Sequence, residues 1–262
     1  MPKTPSSASS GRQIFEDGQI FLFSPALFGQ IVIFGLAFGA VQFLSISYND
    51  YLCLNGYVMD FQPYYAFLIL VGGLAGVFLF SVLVDHFQDY KRTYRSCFAI
   101  MSGSVCLLGW AVLRTDETFY VLLSLGMFGV FGMATIFIGV EMAVETVYPM
   151  NQAIVGGTLF ASGYLFHLIF IGMKYVVRRR VVLKDYKHQV CHKGGVEEII
   201  DYTTLPCLVG LVLIIGAILM LVCLQVKTQR QDYETNAKLM KISVFSIENP
   251  TFSGNFSRSI ES

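Results

Sequence analysis

The chain is short of charge. Of its 262 residues only 14% are Asp, Glu, Lys or Arg, where a soluble domain carries about 25%. Too few charges are present to coat a globule of this size. The 18 basic and 18 acidic residues cancel, so no overall positive field exists to attract nucleic acid. The low charge excludes a disordered chain, and the composition fits neither a collagen-like nor a disulfide-rich secreted class. Catalytic constellations are also missing: there is no nucleophile–base pair, no phosphate-cradling glycine loop and no haem-attachment CxxCH. What the chain has in quantity is apolar surface. Hydrophobic residues make up 55% and aromatics 15% of it, and the mean hydropathy is +0.61. These values point to an integral membrane protein and not to an enzyme.

Six stretches contain no Asp, Glu, Lys or Arg: Phe28–Ser47, Phe61–Val84, Ser96–Leu113, Thr118–Val140, Met150–Met173 and Leu205–Val226. Each is 18 to 24 residues long, and about 20 apolar residues in a helix cross a bilayer core. Their unbroken apolar character suits helices, which satisfy their own backbone in lipid. The roughly 10-residue alternating segments of a membrane barrel are absent. The expected architecture is an all-α membrane protein with a six-span bundle over residues 27–226, a polar N-terminal segment 1–26 and a polar tail 227–262. The first span starts too late, runs too long and follows the acidic pair Glu16-Asp17, so it does not read as a cleaved signal peptide. Gly35 with Gly39 and Gly72 with Gly76 form GxxxG pairs, and Gly126, Gly129 and Gly132 recur every third residue. Small residues at these spacings serve close helix packing in lipid, with a hinge as the other reading.

Orientation is less decided. With six spans and both termini inside, ten Lys and Arg fall inside and eight outside. Seven of those eight lie in one segment, Lys174–Thr204. Omitting Ser96–Leu113 leaves five spans, moves that segment inside and sends the tail outside; charge counting by itself favours this arrangement.

Between the fourth and fifth spans runs VEMAVETVYPMNQAIVGGTLFASGYLF, Val140 to Phe166. It resembles the region joining helices ten and eleven in the feline leukaemia virus subgroup C receptor-related family, solute transporters of the major facilitator superfamily linked to choline and haem. The residues carrying the resemblance are Glu141, Glu145, Thr146, Tyr148, Pro149 and Gly157. Gly39 to Asn49 is similar to the family's seventh helix, and DHFQDYKR, Asp85 to Arg92, is similar to its loop between helices eight and nine. The resemblance implies the C-terminal six helices of a twelve-helix carrier with both termini cytosolic. It implies transmembrane transport of a choline- or haem-related solute by alternating access, in a plasma membrane. A second six-helix half or a second copy of the chain then has to complete the site, which in such carriers lies between two halves at the midplane. Beside this stands a non-transporting, truncated membrane protein that acts by binding partners. The basic segment Lys174–Thr204 departs from the family, where a short external loop is expected.

Candidate site residues follow. Glu141 and Glu145 lie four apart on α-helical spacing. A carboxylate in lipid faces a cavity or a partner, which suits Glu141; Glu145 lies nearer the helix end, with water in reach. Gln42, Tyr164 and His167 are polar groups inside spans, read either as helix–helix hydrogen bonding or as cavity lining. By the resemblance, Gln42 and Tyr164 stand where the family has an aromatic residue and a Gln that hold a quaternary ammonium, with the two residue types exchanged. Asp85, Lys91 and Arg92, with Glu145, resemble the charged loop that locks helix ends in this superfamily; a solvated loop is the plain reading. No cofactor is expected. His188, Cys191 and His192 lack the second ligand pair of a metal site. Under the family topology Cys53 and Cys191 share the exterior, and the resemblance thereby implies that they can pair.

The tail carries the sequon Asn255-Phe256-Ser257, while Pro250 disqualifies Asn249. Six spans starting inside keep Asn255 in the cytosol, and five expose it. The expected outcome is no glycan at Asn255 together with protection of the tail from protease outside sealed cells. A glycosidase-sensitive mass shift abolished by Asn255→Gln would defeat the six-span reading.

Overall fold

In a computed structural model of the chain, residues 25–52, 62–87, 89–114, 117–146, 152–177, 179–182 and 198–223 are described. They form six helices: α1 Pro25–Leu52, α2 Gln62–Phe87, α3 Tyr90–Val112, α4 Thr118–Thr146, α5 Gln152–Val177 and α6 Leu205–Cys223. Each grows from one of the uncharged stretches, and most extend past it into flanking polar residues. Five are long and apolar enough to cross a membrane. The third, which the five-span arrangement would discard, is among them at 23 residues. The exception is α6, whose apolar run is Leu205–Leu221.

The all-helical expectation holds for the bundle. Within the basic segment after α5, however, two four-residue strands, β1 Arg179–Val182 and β2 Glu198–Asp201, pair antiparallel with Arg179 opposite Asp201. Between β2 and α6, the Tyr202 ring lies 5.0 Å from the Lys174 ammonium. Lys174 Nζ also donates to Asp50 Oδ2 at 2.5 Å. One side chain thus ties the ends of α1 and α5 to the turn that starts α6.

Glycines set the pairing of the helices. On α1, a Cβ at Gly35 would meet Phe166 and Ser162 at 2.7–2.8 Å, and one at Gly39 would meet the His167 backbone at 2.8 Å. On α4, a Cβ at Gly129 would lie 2.6 Å from the Ile69 carbonyl oxygen, and one at Gly76 of α2 would meet the Val130 carbonyl more closely still. Gly109 of α3 receives Cys207, and Gly210 of α6 receives Cys106, each sulfur 2.8 Å from the added carbon. Glycines thus set three tight pairs, α1/α5, α2/α4 and α3/α6, and α3 also packs on α4 as extensively as α5 packs on α1. Dispersion across closely approaching backbones is the main attraction available in lipid, where apolar burial drives little. The GxxxG residues act in packing.

The pairs assemble through larger side chains. Phe34, Tyr94, Phe98, Met101, Leu125 and Phe128 fill the centre and are essentially inaccessible. The apolar window of α1 is 78% buried, whereas those of α2 and α5 are 22% buried. The helices α2 and α5 are thus the flanks, resting mainly on α4 and α1 respectively.

Gly76→Ala is expected to destabilise the bundle by about 1–3 kcal/mol, the usual cost of overpacking. A Cβ at Gly103 of α3 meets nothing within 4 Å, so Gly103→Ala should be neutral or stabilising by up to about 1 kcal/mol. Thermal unfolding midpoints of the two variants in detergent compare them directly, and equal midpoints would contradict the α2/α4 contact.

Candidate functional site

Because α2 and α5 flank the bundle on different partners, a seam runs between the α1/α5 pair and the α2/α4 pair. Two cavities open along it. One, of about 290 Å³, is lined by Phe80 and Ser81 of α2, Phe137 and Glu141 of α4, and Phe160 of α5, among other residues. The other, of about 270 Å³, is lined by Gln42 and Ser45 of α1, Ile69 and Leu70 of α2, and Gly129 and Met133 of α4, among other residues.

The first cavity joins the one carboxylate in its lining to an aromatic cluster. Phe34 and Phe38 on α1, and Phe160 and Tyr164 on α5, are both i, i+4 pairs, so each pair shares a helix face. The helices lie close because Gly35, Gly39 and Gly163 carry no side chain where they meet, and the rings interleave. Phe38 sits edge-on to Phe160 at 5.3 Å and to Tyr164 at 5.4 Å; Phe34 meets Phe160 at 5.8 Å. Phe34 and Phe38 are buried, whereas Phe160 and Tyr164 are 39% and 58% exposed. The cluster is therefore anchored inward and presents its outer rings to the open side. Glu141 is exposed there too. A carboxylate beside accessible aromatic rings suits a small organic cation, through charge and through attraction to the ring quadrupole.

The other candidates scatter. Gln42 is half-buried in the second cavity. His167 lies on the α1/α5 interface with its ring 6.3 Å from Phe43, and its Nδ1 is buried without a hydrogen-bond partner. Glu141 thus shares a cavity with Phe160, and Tyr164 joins them through Phe38, while Gln42 and His167 stand apart.

At the far end of α4, Glu145 is buried at 9% exposure. This corrects the expectation that it reaches water. The helix continues past the uncharged run to Thr146, whose hydroxyl donates to the Met142 carbonyl at 2.6 Å, so Glu145 sits in a packed turn and not in a loop. Asp85 is exposed and Lys91 half-buried. Arg92 forms an ion pair with Asp89 at 3.4 Å, with side chains 87% and 47% exposed; such a solvated pair is worth about 0–1 kcal/mol. Cys53, Cys191, His188, His192 and Asn255 lie outside the described residues.

Sequence reasoning overlooked Phe34, Phe38 and Phe160. Their signal was present as two i, i+4 aromatic pairs, hidden by the phenylalanine-rich background of 23 such residues. It also overlooked the Asp50–Lys174 pair, since separation by 124 positions leaves no local trace.

No family model matches the chain. It is similar to solute carrier family 49 member A3 of Danio rerio, 28% identical over 165 residues, 63% of this chain and 35% of that protein. The corresponding protein of Xenopus tropicalis is 28% identical over 174 residues, 65% of this chain and 36% of the relative. Uncharacterized protein B0416.5 of Caenorhabditis elegans is 29% identical over 200 residues, 72% of this chain and 38% of its own length. The chain therefore spans little more than a third of the relatives it matches. The two solute carriers support the resemblance to feline leukaemia virus subgroup C receptor-related transporters of the major facilitator superfamily.

Proposed function

We propose that this chain, a relative of solute carrier family 49 member A3, forms the C-terminal six-helix wall of a carrier that moves a small organic cation of the choline class by alternating access. The observation that carries the reading is the union of Glu141 with the exposed Phe160 ring in one cavity on the open seam, with Tyr164 added to the aromatic cluster through Phe38. A single carboxylate among aromatic rings favours a cationic head group and disfavours the anionic propionates of haem. In this reading α6 is the sixth crossing, both termini are cytosolic and the membrane is the plasma membrane.

One wall cannot enclose a solute. The flanks α2 and α5 carry 16 of the 32 large hydrophobic side chains that are more than a third exposed among the described residues, Phe78, Val82, Leu165 and Leu168 among them. The reading supplies a facing six-helix half, from a longer form of the polypeptide or from a second copy, with the solute held between. Asp85, Lys91, Arg92 and Glu145 form the lock at the cytosolic helix ends. Gln42 and His167 lie deeper in the wall as further polar contacts on the route.

The test is uptake of labelled choline-class cations into sealed vesicles, with the chain alone and with a co-expressed N-terminal half from one of its relatives. Saturable uptake in either case is expected. Glu141→Gln should slow it about tenfold, equivalent to about 1.4 kcal/mol of lost stabilisation. Phe160→Leu should weaken apparent affinity by the about 0.5–2 kcal/mol of a cation–ring contact. Unchanged uptake in Glu141→Gln across about pH 5–8, a window spanning physiological titration, would remove Glu141 from the mechanism.

A further inference from the structure

The two cavities share their walls. On α4, Gly129, Met133, Phe137 and Glu141 follow one another at four-residue intervals, a single ridge. The first two line the Gln42 cavity and the last two the Glu141 cavity. On α2, Ala66, Ile69 and Leu70 line the former, and Val77, Phe80 and Ser81 the latter. Between these two sets lies Gly73. The space beside it, where a Cβ would stand, is filled by Met133: the thioether arm's Cγ is 2.7 Å from that point. Met133 is partly exposed, and the next residue, Ala134, already belongs to the other cavity. A methionine seated in a glycine notch therefore stands at the boundary of two chambers. From Met133 to Glu141 the helix rises about 12 Å.

We propose that the two cavities are successive stations of one solute path along the α2/α4 groove, and that Met133, docked against Gly73, is the gate between them. The inference rests on the reading of this seam as a cation route and adds its internal order. At one station the amide of Gln42 and the hydroxyl of Ser45 take a polar group of the solute without neutralising its charge. At the other, Glu141 and the Phe160 ring hold the cationic head. Charge complementarity at Glu141 identifies the occupant as an organic cation; an acyl chain gains nothing from a carboxylate. Methionine suits the dividing position. Its unbranched side chain has three rotatable bonds, so it can swing out of the notch without moving a backbone. Gly73 makes this possible, because any side chain there would deny Met133 its resting place.

Ser45 and Ser81 provide reporters, one in each station. They lie toward the C-terminal ends of α1 and α2, two consecutive apolar helices, and so reach opposite sides of the membrane. In sealed vesicles holding a cysteine-free version of the full chain together with a cysteine-free N-terminal half from one of its relatives, Ser45→Cys and Ser81→Cys are exposed separately to an impermeant trimethylammonium thiosulfonate from either side. Each should react from its own side. Adding Met133→Ala should raise modification of Ser81→Cys from the Ser45 side by about tenfold, the factor that about 1.4 kcal/mol of barrier represents. Gly73→Ala, which fills the notch and pushes Met133 into the path, should lower it. Ser104→Cys, buried in α3, should stay unmodified throughout; where it reacts in Met133→Ala, the substitution has loosened the bundle and the Gly73→Ala result decides.

Rates indifferent to residues 73 and 133 would overturn the gate. So would equal reaction of Ser81→Cys from both sides, or failure of the reagent to reach either station, the result expected of a lipid-filled groove. Labelling does not require transport, so the two readings separate. Gate-dependent labelling without any uptake would leave the path standing and remove the transport function. Glu141-dependent uptake with labelling blind to Met133 would do the reverse.

Discussion

Close approach of helix backbones governs this molecule. In lipid, apolar side chains gain little by leaving one hydrocarbon environment for another. Cohesion must come from contact, and contact is densest where nothing separates two backbones. At Gly39 the neighbouring backbone stands 2.8 Å from where a Cβ would be, and at Gly129 it stands 2.6 Å away. Each helix pair carries such points. The α1/α5 pair adds a hydrogen bond across them, from the Ser162 hydroxyl to the Ile31 carbonyl at 3.1 Å. A methyl group at these positions would push helices apart along their whole length, because a helix is too stiff to yield at one residue.

Glycine pairing and the α3/α4 interface leave the contacts of α1 with α2 and α4, and of α5 with α4, looser, and the site follows from that. Where α1 meets α4, Phe34 and Val41 press on Gly139 and Gly132, and the Gln30 amide donates to the Gly139 carbonyl at 3.4 Å, near the outer limit of a hydrogen bond. Contacts of α1 with α2 and of α5 with α4 are few by comparison with those inside the pairs. Space therefore collects along the seam, and both cavities lie there. The interleaved rings of Phe34, Phe38, Phe160 and Tyr164 are a consequence of the same zipper: with Gly35 and Gly163 in contact with the facing helix, the phenylalanines beside them are forced into one layer.

Much of this was legible in the sequence. Six uncharged runs became six helices, because hydrocarbon demands continuous apolar surface and an internally bonded backbone. The glycine spacings announced packing, since small residues three or four apart share a face. Glu141 stands out because a carboxylate that continues an apolar run in a membrane helix is costly without a purpose. Other features were not legible, for definable reasons. The end of an uncharged run was a poor guide to the end of α4, so Glu145 was assigned to water although the helix carries it into a packed turn. The partner of a residue is a tertiary fact: nothing near Lys174 names Asp50, and nothing near Phe160 names Phe38. The strand pair after α5 escaped because its segment was read only for its charge.

The placement of Glu141 bears on what the rest of the wall is for. Glu145 and Glu141 are one helical turn apart, and the fold treats them oppositely, enclosing one and leaving the other open. An enclosed carboxylate has its environment supplied by its own bundle. An open one on a membrane helix has not, and its charge must be met by something outside the six helices. Lipid tails cannot do so. Water in a shielded cleft can, and so can a cation. In the proposed carrier, both come with the facing half, which excludes lipid. The exposed apolar flanks α2 and α5 stand on either side of the seam that contains Glu141, where such a surface would seal. Lipid can cover the apolar flanks but not the carboxylate, so in the proposed carrier it is Glu141, and not the exposed apolar surface, that calls for a roof, and the flanks offer the edges on which it can rest.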